Sequence, residues 1–272
     1  FIEAEVPTSA GTAKVVVSGS HTHISEIWVN GKAEYLESAE DEREREQPEA
    51  EIHKFRLSDL AEYAETVPLN EIEFIWKAYE TNLALFEEGL HNPRTTYAPF
   101  LFKENGGVVF SQDEEKTASL LCNAAIEARV IGLTRAAMSI TGSGAHGIIA
   151  TLPLYAAYKV RGYTKEQLLR ATALSYLVCM YIKEYSGKLS AFCGCAIAAG
   201  TGMAVALAWL RGGDIHAMER VIYNMASSIT GMICDGGNQG CVMKGIVAVS
   251  AAYSSVKTAL EGISVQNMHG IN

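Results

Sequence analysis

Along the first third of the chain, short apolar runs alternate with polar positions. From residue 114 onward, small apolar residues recur at helical spacing. Residues 13–17 (AKVVV) and 24–29 read as strands on their β-branched content, and Asn30-Gly31 is a two-residue hairpin signal. A strand is also expected directly from Phe1. Helices are predicted over 57–65 and 70–85, the second opening on Asn70 with an acidic first turn and closing across 89–93. Residues 99–113 read as a loop or short extended stretch. Six helices follow, over 114–140, 146–160, 165–185, 189–210, 215–229 and 242–260, with Thr164 and Gln167 forming a capping box and Gly212-Gly213 a stop. The pattern predicts an α+β chain. A small N-terminal α+β unit spans residues 1–112, incomplete at its start, and a large all-α domain of closely packed small-residue helices spans 113–272.

Composition narrows the class. The 272 residues are 49% hydrophobic, enough for a substantial core without disulfide staples. A net charge of −9 with no basic stripe argues against a nucleic-acid partner. The acidity is concentrated in residues 34–51, which read as a solvated helix face or a connection, with a docking surface as the alternative. With no secretory signal and six cysteines that need no oxidised partners, a reducing cytoplasm is the expected compartment. Residues 189–210 carry no charge and have the length of a bilayer span. Their Ala, Gly, Ser190, Thr201 and cysteine content also suits a central helix packed on all sides, and a soluble protein is expected. The chain starts at Phe1 without methionine and ends just past an apolar helix, so it reads as part of a longer protein.

Candidate chemistry collects in the loops between the helices. Cys234 and Cys241 flank an acidic, glycine-rich turn, and Cys193 and Cys195 lie upstream. All four read either as small buried hydrophobes or as thiolate ligands of an inorganic centre. Their spacing fits no standard zinc or ferredoxin pattern. The loop Thr141-Gly142-Ser143-Gly144-Ala145-His146-Gly147 precedes a helix, where free amides attract a carboxylate or phosphate; a structural turn is the alternative, and no Walker loop is present. A third loop contains Ser186-Gly187-Lys188. His21 and His23 would share a strand face, as a polar strand end or as metal ligands.

Several of these motifs together resemble a known family. The stretches Leu189-Ser190-Ala191-Phe192-Cys193, Gly231-Met232-Ile233-Cys234-Asp235-Gly236 and Cys241-Val242-Met243-Lys244 resemble the iron–sulfur L-cysteine desulfidases, which overlap the alpha region of bacterial L-serine dehydratases. The loop from Gly142 through Pro153 and the run Gly19-Ser20-His21-Thr22-His23-Ile24 extend the likeness over nearly the whole chain. The resemblance implies cleavage of L-cysteine to pyruvate, ammonia and sulfide without pyridoxal phosphate. It implies a [4Fe–4S] cluster held by three cysteines, with one iron open to substrate. Carried over by motif, Cys193 and Cys234 are two ligands, Cys195 competes with Cys193, and Cys241 is a candidate by analogy with the serine dehydratases. The desulfidases' N-terminal Gly-Cys-Thr-Glu-Pro element is missing, so the cluster is either completed by Cys241 or incomplete in this chain.

That chemistry suggests roles for the remaining loop residues. Amides of Gly142, Ser143 and Gly144 would bind a substrate carboxylate, with Lys188 and Lys244 as neutralising charges and Asp235 orienting a donor or capping its turn. His146, then His21, is the candidate base for the Cα proton. A helix-terminal contact is the structural alternative for His146. The expected activity is a lyase acting on L-cysteine ahead of L-serine, and the competing reading is a non-catalytic amino-acid or cluster sensor. A small amino acid is the expected partner, with a homodimer as the assembly.

Overall fold

The structure is a computed structural model and describes residues 2–19, 23–38, 50–187 and 190–269. Its architecture is α+β, a four-stranded antiparallel meander followed by a helical body. Strands β1 (Ile2–Thr8), β2 (Gly11–Val17), β3 (Ile24–Val29) and β4 (Lys32–Leu36) pair in chain order. Asn30 and Gly31 both adopt positive φ, 51° and 77°, as the predicted two-residue turn requires. The ring of His23 is held locally, with Nδ1 2.7 Å from the Ser18 carbonyl and Nε2 3.2 Å from the Glu37 carboxylate. His21 and Lys188 lie outside the described residues, as does the acidic run from residue 39 to 49.

The helical body contains α1 (Leu57–Thr66), α2 (Trp76–His91), α3 (Tyr97–Glu104), α4 (Glu114–Val130), α5 (Gly144–Arg161), α6 (Lys165–Ser186), α7 (Gly200–Leu210), α8 (Ile215–Ile229) and α9 (Gly240–Leu260). A short turn of helix at Leu69–Ile72 and a 3-10 turn at Glu73–Ile75 lead into α2. Helices α4, α5, α6 and α7 pack successively against one another; α2 and α9 lie against α4, and α1 lies against α6. Leu85, Leu121, Ile148, Leu174, Met203 and Val249 are fully buried in one continuous core. The small residues allow backbones to approach. A Cβ on Gly202 of α7 would come within 2.3 Å of the Ser175 carbonyl on α6, and one on Gly89 of α2 within 2.3 Å of the Ala124 carbonyl on α4.

Four predicted elements differ from the observed ones, the first being the helix expected over 70–85, which is interrupted by the 3-10 turn at Glu73–Ile75 and continues to His91. The helix expected over 114–140 stops at Val130. Gly132 takes the left-handed conformation, the Leu133 amide bonds the Ala128 carbonyl and the Gly132 amide bonds Arg129, a Schellman ending. The loop expected over 99–113 begins instead inside α3. Pro99 is tolerated in a first turn, whose amides have no intrahelical acceptor. Those of Thr96, Tyr97 and Ala98 donate to the buried carboxylate of Glu127. Finally, residues 189–210 are not one helix. Ser190 to Cys193 is non-helical, helix starts at Gly194 and runs through a π-turn at Cys195–Ala199 into α7. Among the described residues, no helix is long and apolar enough to cross a membrane.

Candidate functional site

The break in that apolar run builds the site. Phe192 and Ile233 form an antiparallel bridge: the Cys193 amide donates to the Met232 carbonyl at 2.8 Å, and the Cys234 amide to the Ala191 carbonyl at 3.0 Å. Two cysteines 41 positions apart are thereby fixed on neighbouring extended segments. Cys195 neighbours Cys193 and Ser143, and it lies within electrostatic reach of Cys241. Cys241 opens α9 with its Sγ 3.5 Å from the Gly236 carbonyl. The intervening loop is pinned by Asn238, which accepts from the Gly240 amide and donates to the Asp235 carbonyl. Asp235 itself pairs with Lys244.

The thiols are not equivalent. A thiolate on Cys193 accepts from the Cys195 thiol, against the cost of burial, and is further favoured by the Ala196 and Cys195 amides and the Lys244 charge. Cys193 is therefore held below the ordinary thiol range, while its partner Cys195 is held protonated. By contrast, burial pushes Cys179 of α6 up to about 12 and Cys122 of α4 higher still, as expected for inert core thiols. Among the described residues, no three His, Cys, Asp or Glu side chains are placed to hold a single metal ion.

His146 lies in the first turn of α5 and is 5% exposed. It is reached through a tight turn in which Thr141 (φ 52°) and Gly142 (φ 80°) both take positive φ. The Thr141 Oγ1 is 2.6 Å from His146 Nδ1 and 2.7 Å from the Ile140 carbonyl. The hydroxyl has one proton; donated to Ile140, it leaves Nδ1 carrying the ring proton and Nε2 presenting its lone pair. Burial, followed by the charge of Lys183, depresses His146 to about 4, so the ring is neutral at physiological pH. Nε2 faces the backbone between the first two cysteines: a Cβ on Gly194 would sit 2.8 Å from it and 3.2 Å from Lys183 Cδ. Lys183 is 4% exposed on α6, and its Nζ donates to Ser190 Oγ at 3.1 Å.

The glycine loop serves packing as well as access. A Cβ on Gly144 would come within 2.6 Å of Arg129 Nε, and one on Gly147 within 1.9 Å of the Met138 carbonyl. Ser143 is the N-cap residue of α5, and its own amide is engaged by the Ile140 carbonyl. Asn82 on α2 latches the loop in place, accepting from the Met138 amide and donating to Thr151 and the Gly147 carbonyl. The predicted residues Gly142, Ser143, Gly144 and His146 are thus joined to Cys195 through Ser143, and to Cys193 and Cys195 through Gly194.

Comparison with known proteins fits this picture. The model of the serine dehydratase alpha chain family matches residues 21–272. The chain belongs to the serine dehydratase alpha chain family. Relatives include a UPF0597 protein of Clostridium botulinum, 38% identical over 276 aligned residues. Two more, from Caldanaerobacter subterraneus subsp. tengcongensis and Aeromonas hydrophila, are each 34% identical over 273 and 271 residues. Each alignment takes in 100% of this chain and, in that order, 64%, 63% and 62% of the relative, so the chain spans under two thirds of their length. Every described cysteine and loop of the site falls within the part matched to the serine dehydratase alpha chains.

Lys183 and Asn82 lie outside the loops named from the sequence, while Thr141 begins one of those loops and Gly194 stands between two of the named cysteines, neither with an assigned role. Lys183 carried a readable signal. Thr172, Ser175, Cys179 and Lys183 recur at helical spacing on one face of α6, and all four are buried. Polar residues in that register, on a helix whose same face is packed, mark a polar interior rather than a solvated one.

Proposed function

We propose that this family member is a lyase that removes the β-substituent and the amino group of a small amino acid, L-cysteine ahead of L-serine, with pyruvate as the carbon product. The observation that carries the reading is the pairing of residues 191–193 with 232–234, which gathers thiols from distant segments beside a neutral, buried imidazole. The donor set fits an iron–sulfur cluster. Thiolates are its usual ligands, and these four are accompanied by two lysines and by backbone amides directed at sulfur. Ligands of a cluster bind different irons, so they need not converge on the single point that one metal ion demands. Cys193, Cys234 and Cys241 would hold the cluster, with Cys195 the alternative to Cys193. Bound there, a [4Fe–4S] cluster supplies an iron with an open position that polarises a poor leaving group.

The chain's own residues supply the other functions. His146 Nε2 takes the Cα proton, while Thr141 fixes its tautomer through Nδ1. The Cα–H electrons form the Cα–Cβ double bond as the Cβ–S or Cβ–O bond breaks, and the β-substituent leaves with its electron pair. The enamine tautomerises and is hydrolysed to pyruvate and ammonia, with no net oxidation. The Gly142 and Gly144 amides, at the start of α5, would bind the carboxylate, whereas the Ser143 amide is engaged by the Ile140 carbonyl. Asp235 keeps Lys244 at the loop edge, where its charge favours thiolate on Cys193.

L-Serine is the second reading, favoured by the family whose model the chain matches. Anaerobic reconstitution of the full-length protein, followed by pyruvate and sulfide assays with both amino acids, tests the proposal. Iron-dependent pyruvate formation is expected. Equal activity in thoroughly iron-free protein, or binding of amino acid without any pyruvate, contradicts it.

A further inference from the structure

We propose that Lys183 is the anion anchor of this site and binds the α-carboxylate of the amino-acid ligand, an inference that rests on the lyase reading above. A lysine is almost never this deeply buried without compensation, because an unpaired ammonium loses its hydration. No carboxylate compensates this one: among the described residues, every Lys or Arg in an ion pair is another residue, and its neighbour Glu184 is exposed and acts only at longer range. Of the three protons on Nζ, one goes to Ser190 Oγ. Ser190 is in turn oriented by donating to the Phe192 carbonyl at 3.1 Å, and the Phe192 ring lies 5.9 Å from Nζ. The ammonium is therefore held in position with donor capacity to spare.

Its neighbours identify what the spare capacity is for. Lys183 and His146 flank the same Gly194 backbone, and the thiols of Cys195 and Cys234 lie within reach of the Lys183 charge. A ligand whose Cα proton meets His146 and whose β-substituent meets the sulfur ligands carries its carboxylate one bond from Cα. Lys183 stands beside that position, next to the α5 N-terminus. Lys244 cannot take this role as readily, because Asp235 already neutralises it. The geometry selects α-amino and α-hydroxy acids over amines of the same shape.

The test uses L-alanine, which has no β-leaving group and so binds without turnover, and ethylamine, which matches it without the carboxylate. Binding to reconstituted full-length protein is measured by calorimetry, with iron content determined in parallel. Lys183→Met is expected to weaken L-alanine binding about 30-fold or more, the scale of a lost charge-assisted hydrogen bond, with iron content unchanged. Lys183→Arg, which keeps the charge and covers the case in which the Met variant misfolds, is expected to retain binding within about tenfold. Ethylamine binding should differ little between the variants. Wild-type-like L-alanine binding in Lys183→Met overturns the inference, as does failure of the wild type to bind L-alanine, or loss of iron in Lys183→Met with iron retained in Lys183→Arg, which would make Lys183 a counter-charge to the thiolates alone. Lys183-dependent L-alanine binding in a protein that forms no pyruvate would sink the lyase reading and leave the carboxylate site standing. Pyruvate formation with KM unchanged in Lys183→Met would do the reverse.

Discussion

Cys122 and Cys179 in the middle of the bundle and the four cysteines at its rim are the same residue type in opposite situations. The first pair sits at zero exposure on α4 and α6 and behaves as packing, with thiols raised by burial. The second group lies where helices start or break, with amides, lysines and other sulfurs for neighbours. The difference teaches that chemistry here follows backbone interruption. A cysteine in an unbroken helix has its neighbouring amides already bonded, whereas one at a helix start or a bridge has free donors directed at its sulfur.

The widest separation between the two groups should appear in activity. On the lyase reading, Cys234→Ser is expected to abolish pyruvate formation, a loss on the order of 10³-fold or more from removal of a ligand. Cys122→Ala should leave turnover within about twofold and cost roughly 1–2 kcal/mol of stability through the cavity it opens. Comparable activity losses in the two variants, measured beside denaturant melts, would erase the distinction.

A smaller effect sharpens it. Gly194→Ala places a methyl group against His146 Nε2 and Lys183, so turnover should fall about 10²-fold while stability changes by no more than about 1–2 kcal/mol. A stability loss without a matching activity loss would show that Gly194 serves packing alone, as Gly202 does between α6 and α7.

What the sequence disclosed and what it hid divide along the same line. Local signals were readable: the Asn30-Gly31 turn, and the Thr164–Gln167 box, whose two bonds measure 2.8 and 3.1 Å. The polar stripe through Lys183 was readable too. The start of α3 was not, because its cap is Glu127, some 30 positions downstream and on another helix. Nor was the interruption at 190–193, since the segment that holds it extended begins at Met232. The cysteines of the site were visible as residues, while their grouping depends on that distant bridge.

Acid sensitivity offers a smaller contrast, between two buried carboxylates and the site. Burial alone would raise Glu114 and Glu127, yet each is held below the ordinary range. Arg161, Arg211 and Tyr253 outweigh it at Glu114, and the Thr96–Ala98 amides do so at Glu127. The stability they contribute is complete above their unfolded value of about 4.3 and is lost as pH falls through their lower folded values. Glu127→Gln should therefore destabilise the protein by about 2 kcal/mol at pH 7 and flatten the acid limb of the melting-temperature profile. An unchanged profile would mean that the α3 cap contributes nothing to acid stability.

The most direct measurement is cysteine alkylation followed by mass spectrometry, performed anaerobically on the full-length protein before and after reconstitution with iron and sulfide. The account predicts that Cys234 and Cys241 react in the metal-free protein, become protected together on reconstitution, and become reactive again on chelation, while Cys122 and Cys179 stay unreactive throughout. Alkylation of Cys234 at the same rate with and without iron, or protection of one rim cysteine but not the other, would contradict it.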